Sequence, residues 1–290
     1  MVLTSTVEKA PAGEDVRRLV NRLKHLPSSV IVLQGALEAM DSASCSHVVL
    51  EEILVEDQGA AAGLLRLANS AYFGVKAQVR TLSIAVRVVG FRRLGVLLRH
   101  LLAGKLLEAL EGDGGAVAHV RKVALAAAVL AYEIGEELQL NAEELRVAAL
   151  VHNVGELGLA VEAPQAFAEA ERLSFELGRG AAEAVFGVSF PELSACVLES
   201  WLFPSVYVET ARLWPAPARA ANSLELRPFV ECVHTAARAA DAWSHGASAA
   251  EALSLMDAVV VADLRLDEEL LGRIWERMHA SVEDLRCALH

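Results

Sequence analysis

The sequence predicts an all-α fold, and three observations support that. Hydrophobic residues make up 54% of the 290-residue chain, while aromatics reach only 5%. Ala and Leu dominate, and both are strong helix formers. Apolar residues recur at three- and four-residue intervals, and no stretch alternates in the two-residue rhythm of a half-buried strand.

The elements follow in order. Residues 1–13 read as a frayed leader without an apolar signal core. A helix is expected from Glu14 to about His25, with Val16, Leu19, Val20 and Leu23 on one face. Pro27 stops it by pushing Leu26 out of helical geometry. Ser28 or Ser29 caps a helix from Val30 to Met40, and Ser46 caps His47 to Val55. Asp57 opens a helix lined by Leu64, Leu65, Leu67 and Ala68, which ends in Asn69 to Gly74. Thr81 caps Leu82 to Val89, and Gly90 separates it from Phe91 to Ala109. The acidic, Gly-rich run Glu111 to Gly115 resists order and marks a boundary between a part spanning 14–111 and one spanning 116–245.

The second part begins with a helix over Val117 to Leu138. Asn141 is the expected cap of Ala142 to His152, with Glu144 in a capping-box position. Leu145, Ala148, Ala149 and Val151 bury that helix, which delivers His152 and Asn153 and is expected to break at Gly155 and Gly158. Helices over Ala163 to Leu177, a short segment ending at Gly187, Pro191 to Trp201 and Ser205 to Leu213 follow. Trp214 to Arg227 reads as an exposed loop, and Pro228 to Ser244 as a helix. An extension, 249–290, holds helices over Ala249 to Val261 and Asp267 to Leu289. In the last, Leu271, Ile274, Trp275, Met278, Val282 and Leu285 form one apolar stripe. The stripe either packs back on the bundle or serves as a dimer handle through 267–289.

Net charge is −12 and the isoelectric point is near 5.3, which opposes nucleic-acid binding by the whole surface. The charge is uneven. No Asp or Glu occurs from Gln58 to Leu107, a window carrying Arg66, Lys76, Arg80, Arg87, Arg92, Arg93, Arg99 and Lys105. These residues are either solvated helix faces or a docking surface for an acidic partner or phosphate-bearing ligand. Cys45, Cys196, Cys232 and Cys287 have no zinc-site spacing, so reduced and mostly buried thiols are expected. The longest apolar run, Val123 to Tyr132, is short of the ~20 residues a membrane span needs. A cytoplasmic protein without membrane contact is the expectation.

Several blocks resemble the HDOD family (HD-related output domain) of bacterial signalling proteins. They are Leu26-Pro27, the run from Leu64 to Gly74, Thr81 to Val86 with Gly90, His152 to Gly155, and Glu199 to Pro204. The resemblance spans roughly residues 15–245. It implies a helical N-terminal part packed on an HD-like helical bundle, related to metal-dependent HD phosphohydrolases and acting in signal transduction.

HD hydrolases hold divalent metal with a His … His-Asp … Asp set, which lowers the pKa of a bound water. Carried onto this chain, the resemblance matches His119 to the first His and His152 to the second. Asn153 then stands in place of the Asp, and Ala237 in place of the last Asp. Phe190 and Leu213-Trp214 fall at further histidine positions, and Asp241 lies one helical turn past Ala237. An amide carries no charge and bridges metals poorly, so no metal, cofactor or catalytic residue is expected. His119, His152 and Asn153 read as a degenerate-site pocket, in which Asn153 fixes the tautomer of an interior histidine. The remaining histidines, His245 among them, show no ligand spacing, and Gly155 to Gly158 reads as a helix terminator. Adjacent acids such as Glu143-Glu144 read as solvated faces.

No P-loop, GxGxxG, GxSxG or HExxH occurs. The preferred expectation is a non-catalytic regulatory protein that binds another regulatory protein, with a nucleotide messenger as a further ligand class. The candidate surface is Asn69, Ser70, Arg92, Arg93 and Arg99. The alternative is a phosphohydrolase of nucleotides or cyclic dinucleotides using His119, His152 and Asp241.

Overall fold

The computed structural model describes residues 28–40, 42, 45–69, 79–110, 112, 114–177, 181–201 and 203–289. The expected Glu14–His25 helix and Ser70 lie outside them. The described residues are helical, with no strand among them.

The first part comprises α1 (Ser28–Met40), α2 (His47–Val55), α3 (Gln58–Asn69), α4 (Leu82–Val89) and α5 (Phe91–Ala109). Ser46 and Thr81 cap α2 and α4 through their side-chain oxygens, as expected. Ser28 and Ser29 are helical residues of α1 instead of its cap, and Asp57 caps α3 by accepting from the Ala60 amide.

The second part holds α6 (Gly115–Glu137), α7 (Ala142–Val151), α8 (Val154–Glu162), α9 (Pro164–Leu177), α10 (Ala181–Phe186), α11 (Phe190–Ser200), α12 (Ser205–Leu213) and α13 (Leu226–Ser244). Helix α6 is long and apolar enough to cross a membrane by length and composition. It packs instead on α7, α13 and the C-terminal helix, which use its apolar surface as the bundle core. The Asn141 side chain makes no capping bond, so the expected capping box at α7 is absent.

The predicted break at Gly155 and Gly158 is corrected. Both lie inside α8, and the chain bends earlier, at His152-Asn153. A Cβ on Gly155 would sit 2.5 Å from the Ser194 amide nitrogen, so glycine there permits close approach of α8 to α11. The Gly155 amide donates to Ser194 Oγ at 3.0 Å across that contact.

The expected loop 214–227 is partly ordered. Pro217–Ala220 is a 3-10 turn with Pro217 and Ala220 buried. The extension is α14 (Ala249–Ser254), α15 (Ala258–Asp263) and α16 (Glu268–Leu289). One helix was expected where α14 and α15 stand. Asp257 divides it because its carboxylate accepts from the Val259 and Val260 amides and starts a new helix. The stripe of α16 faces inward: Leu271, Ile274, Met278 and Leu285 are buried, and Trp275 Nε1 donates to the Ala247 carbonyl. That surface is therefore not an exposed dimer handle. All four cysteines are free; Cys232 is buried, but Cys196 and Cys287 are exposed, against the expectation of mostly buried thiols.

The two parts are joined by polar groups as well as apolar ones. Gln34 Nε2 on α1 donates to the Trp201 carbonyl at 2.8 Å. Between α5 and α7, buried Arg146 lies 3.1 Å from Glu143 and stacks 3.6 Å over the Tyr132 ring. His100 Nε2 approaches Glu143 at 3.9 Å. Glu143 is thus an interior partner, not the solvated acid expected of it. Arg146 went unnoticed in the sequence, because its spacing on α7 is that of an ordinary helix residue.

Candidate functional site

The bend between α7 and α8 carries His152 and Asn153 into the interior, at 2% and 4% exposure. His152 Nδ1 donates to the Ala149 carbonyl at 2.6 Å, and the ring meets Trp214 edge-on at 5.1 Å. Burial drives its pKa down to about 4, partly opposed by the Ala149 carbonyl. Asn153 Nδ2 donates to the Val120 carbonyl at 3.1 Å. The expected His152–Asn153 partnership is therefore corrected: each side chain is tied to a backbone carbonyl, and Asn153 staples the bend to α6.

His119 lies one residue from that staple, yet it faces outward. Its Nε2 is 3.7 Å from Asp241 Oδ1 on α13, and its ring centroid is 5.0 Å from that of His245. His245 Nδ1 is 3.5 Å from the same Asp241 oxygen. One ligand-capable atom from each of the three residues falls within 4.8 Å of the others. The structure thus places Asp241 beside His119. It also adds His245, which the sequence reading set aside. The available signal was the four-residue spacing of Asp241 and His245, which puts both on one helix face.

The metal site that the resemblance implies does not fit the residues at its positions. Asn153 is neutral with its amide on Val120, and Ala237 offers no donor. Glu156 and Glu171 lie on the same side as His119 and Asp241. Burial, then Glu171 and Asp241, push the Glu156 carboxyl up to about 8. Burial also raises Glu171, against the pull of His119.

The basic window divides in three dimensions. Arg92 and Arg93 are both exposed, and Arg93 bears electrostatically on Glu143. Arg99 lines a crevice with Gln34, Glu38, Trp201 and Phe203. Lys105 pairs with Glu108 at 2.7 Å. Asn69 is also spoken for. Its amide donates to the Leu65 and Val79 carbonyls and its oxygen accepts from the Val79 amide at 2.7 Å, so it ties the end of α3 to the residues before α4. The crevice encloses about 40 Å³. That is far below the ~300 Å³ of a small ligand pocket.

An all-helical bundle whose buried His152-Asn153 bend is stapled to the helix that carries His119 defines an HD-like protein. The chain belongs to the HDOD family: the model of the HDOD domain matches residues 26–216. A protein of Shewanella amazonensis SB2B, provisionally named a phosphohydrolase, superposes with TM-score 0.71 at 20% identity, over 96% of this chain and 98% of its own. An HDOD domain protein of Geobacter sulfurreducens with unknown function gives 0.66 at 18% identity, over 96% and 97%. A protein of Marinobacter aquaeolei VT8, provisionally named a signal transduction protein, gives 0.61 at 19% identity, over 97% and 66%. At these identities the likeness establishes the fold. An uncharacterised protein of Treponema pallidum (strain Nichols) is 24% identical over 197 residues, a match that spans 67% of this chain and 37% of that relative.

Proposed function

We propose that this HDOD protein is a non-catalytic regulatory protein of bacterial signalling that works by binding another regulatory protein. The observation that supports this is the state of His152 and Asn153. Both are buried, both are tied to backbone carbonyls, and neither is joined by a carboxylate of the HD signature. At Arg99 a nucleotide messenger would have to open the crevice, which is too small as it stands. The exposed Arg66, Arg80, Arg87, Arg92 and Arg93 of the basic window suit an acidic protein partner better.

The alternative is a metal-dependent phosphohydrolase. One observation favours it: His119 and Asp241 converge to 3.7 Å. Turnover of a chromogenic phosphodiester and of cyclic dinucleotides, measured with added manganese, iron or zinc, separates the two. The regulatory reading expects no turnover above that of a His119→Gln/Asp241→Asn variant. Metal-dependent hydrolysis lost in that variant overturns it. For partner binding, recovery of a defined regulatory protein should fall in Arg92→Glu.

A further inference from the structure

The outward-facing groups have a chemistry that the regulatory reading does not use. We propose that His119, Asp241 and His245 form a binding site for one divalent transition-metal cation of the zinc type. The site goes beyond the function proposed above and requires no hydrolysis. It shares only His119 with the set that the family resemblance implies. The His152-Asn153 pair takes no part, and His245, one turn past Asp241, supplies the second imidazole.

Three features carry the inference. The first is spacing. Tetrahedral bonds of roughly 2.1 Å set ligand atoms about 3.4 Å apart. His119 Nε2 and His245 Nδ1 stand 3.7 and 3.5 Å from Asp241 Oδ1, and all three ligand atoms fall within 4.8 Å; His245 Nδ1, which donates to the Asp241 main-chain carbonyl at 2.9 Å, exchanges that bond for the cation. The side chains are 33% (His119), 56% (Asp241) and 65% (His245) exposed, so small rotations that close the set meet little packing.

The second is donor type. Two imidazoles and one carboxylate suit zinc, nickel, copper or ferrous iron, whereas magnesium and calcium favour all-oxygen shells. The third is the field. Asp241 and His245 sit at the C-terminus of α13, whose last carbonyls carry partial negative charge. Lys122 Nζ, 3.4 Å from the Ser244 carbonyl, reaches the same helix end and would compete weakly with the cation. Bound metal would pin α6 to α13 with a coordination position left open to solvent.

The test uses the full chain without an affinity tag, kept reduced. Titration calorimetry with Zn²⁺ should show one site of micromolar affinity, and Mg²⁺ should show none. Losing an outer partner of a metal ligand already costs about tenfold in affinity, so Asp241→Asn and His245→Gln should each lose at least that. His47→Gln, on distant α2, should bind as wild type. Co²⁺ absorption should show no thiolate charge-transfer band, which separates this site from Cys196 and Cys287. Absence of saturable Zn²⁺ binding, wild-type affinity in both ligand variants, or a thiolate band would overturn the proposal. Zn²⁺ binding without turnover leaves the regulatory reading standing, and that reading is tested separately by turnover and partner recovery.

Discussion

His119 and His152 start from the same imidazole and end in opposite chemistry. His152 is sealed at the α7–α8 bend, held neutral by burial and bonded to its own helix. His119 lies on α6 a short way off and faces Asp241 and His245 at a surface where side chains can move. The difference shows that position in an ancestral signature does not decide what a histidine can do. Burial and the nearest carboxylate decide it.

The harshest way to break that comparison is Asn153→Asp, which restores the acidic residue of the HD signature. The Asn153 amide donates to Val120, and a carboxylate cannot. It would place an unpaired charge in the core, at a cost of about 3–5 kcal/mol. Urea denaturation should show that loss. Unchanged stability together with new tight metal binding would mean that the interior pocket still accepts a cation.

Acid should expose the same contrast with less force. The folded chain holds His152 neutral down to about pH 4, and His100 down to about pH 3, both chiefly through burial. The unfolded chain takes up those protons below ~6.5, so the stabilising effect is complete above that pH and is lost as pH falls towards the folded values. His152 alone would account for about 3 kcal/mol. Glu156 has the opposite sign. Its folded pKa of about 8 lies above the unfolded value of 4.5, so its share of stability declines as pH rises through that window. Urea midpoints across the pH range should fall steeply on the acid side. His152→Gln should flatten that limb, and a flat wild-type limb would contradict the sealed reading.

Gly155 shows what a sequence conveys and what it withholds. The helical class, the caps Ser46 and Thr81, and the apolar faces of α5, α7 and α16 were legible, because each depends on neighbours within a turn or two. Gly155 looked like a terminator because its role is tertiary. It lets α8 meet Ser194 on α11, 39 residues away. His245 was passed over because its partner His119 lies on another helix, and the basic window looked continuous because Glu143 enters it only through folding. Gly155→Ala should therefore cost about 1–3 kcal/mol by overpacking. Gly272→Ala, where an added Cβ meets nothing within 4 Å, should be neutral or slightly stabilising. Equal effects in thermal melts would remove the close-contact explanation.

The smallest effect sharpens the comparison most. Asp241→Asn and His245→Gln alter exposed groups whose ion pairs lie at 3.5–3.7 Å, so without metal each should shift stability by less than about 0.5 kcal/mol. Zinc at about a hundred times its dissociation constant should stabilise wild type by about 2.7 kcal/mol, because a ligand that binds only the folded chain draws the equilibrium towards it. The variants should not follow, so wild type and variant melts would separate only when the cation is present. Equal melts with zinc would return His119 and His245 to the ordinary surface. A large loss in the variants without zinc would instead make Asp241 a structural residue of α13.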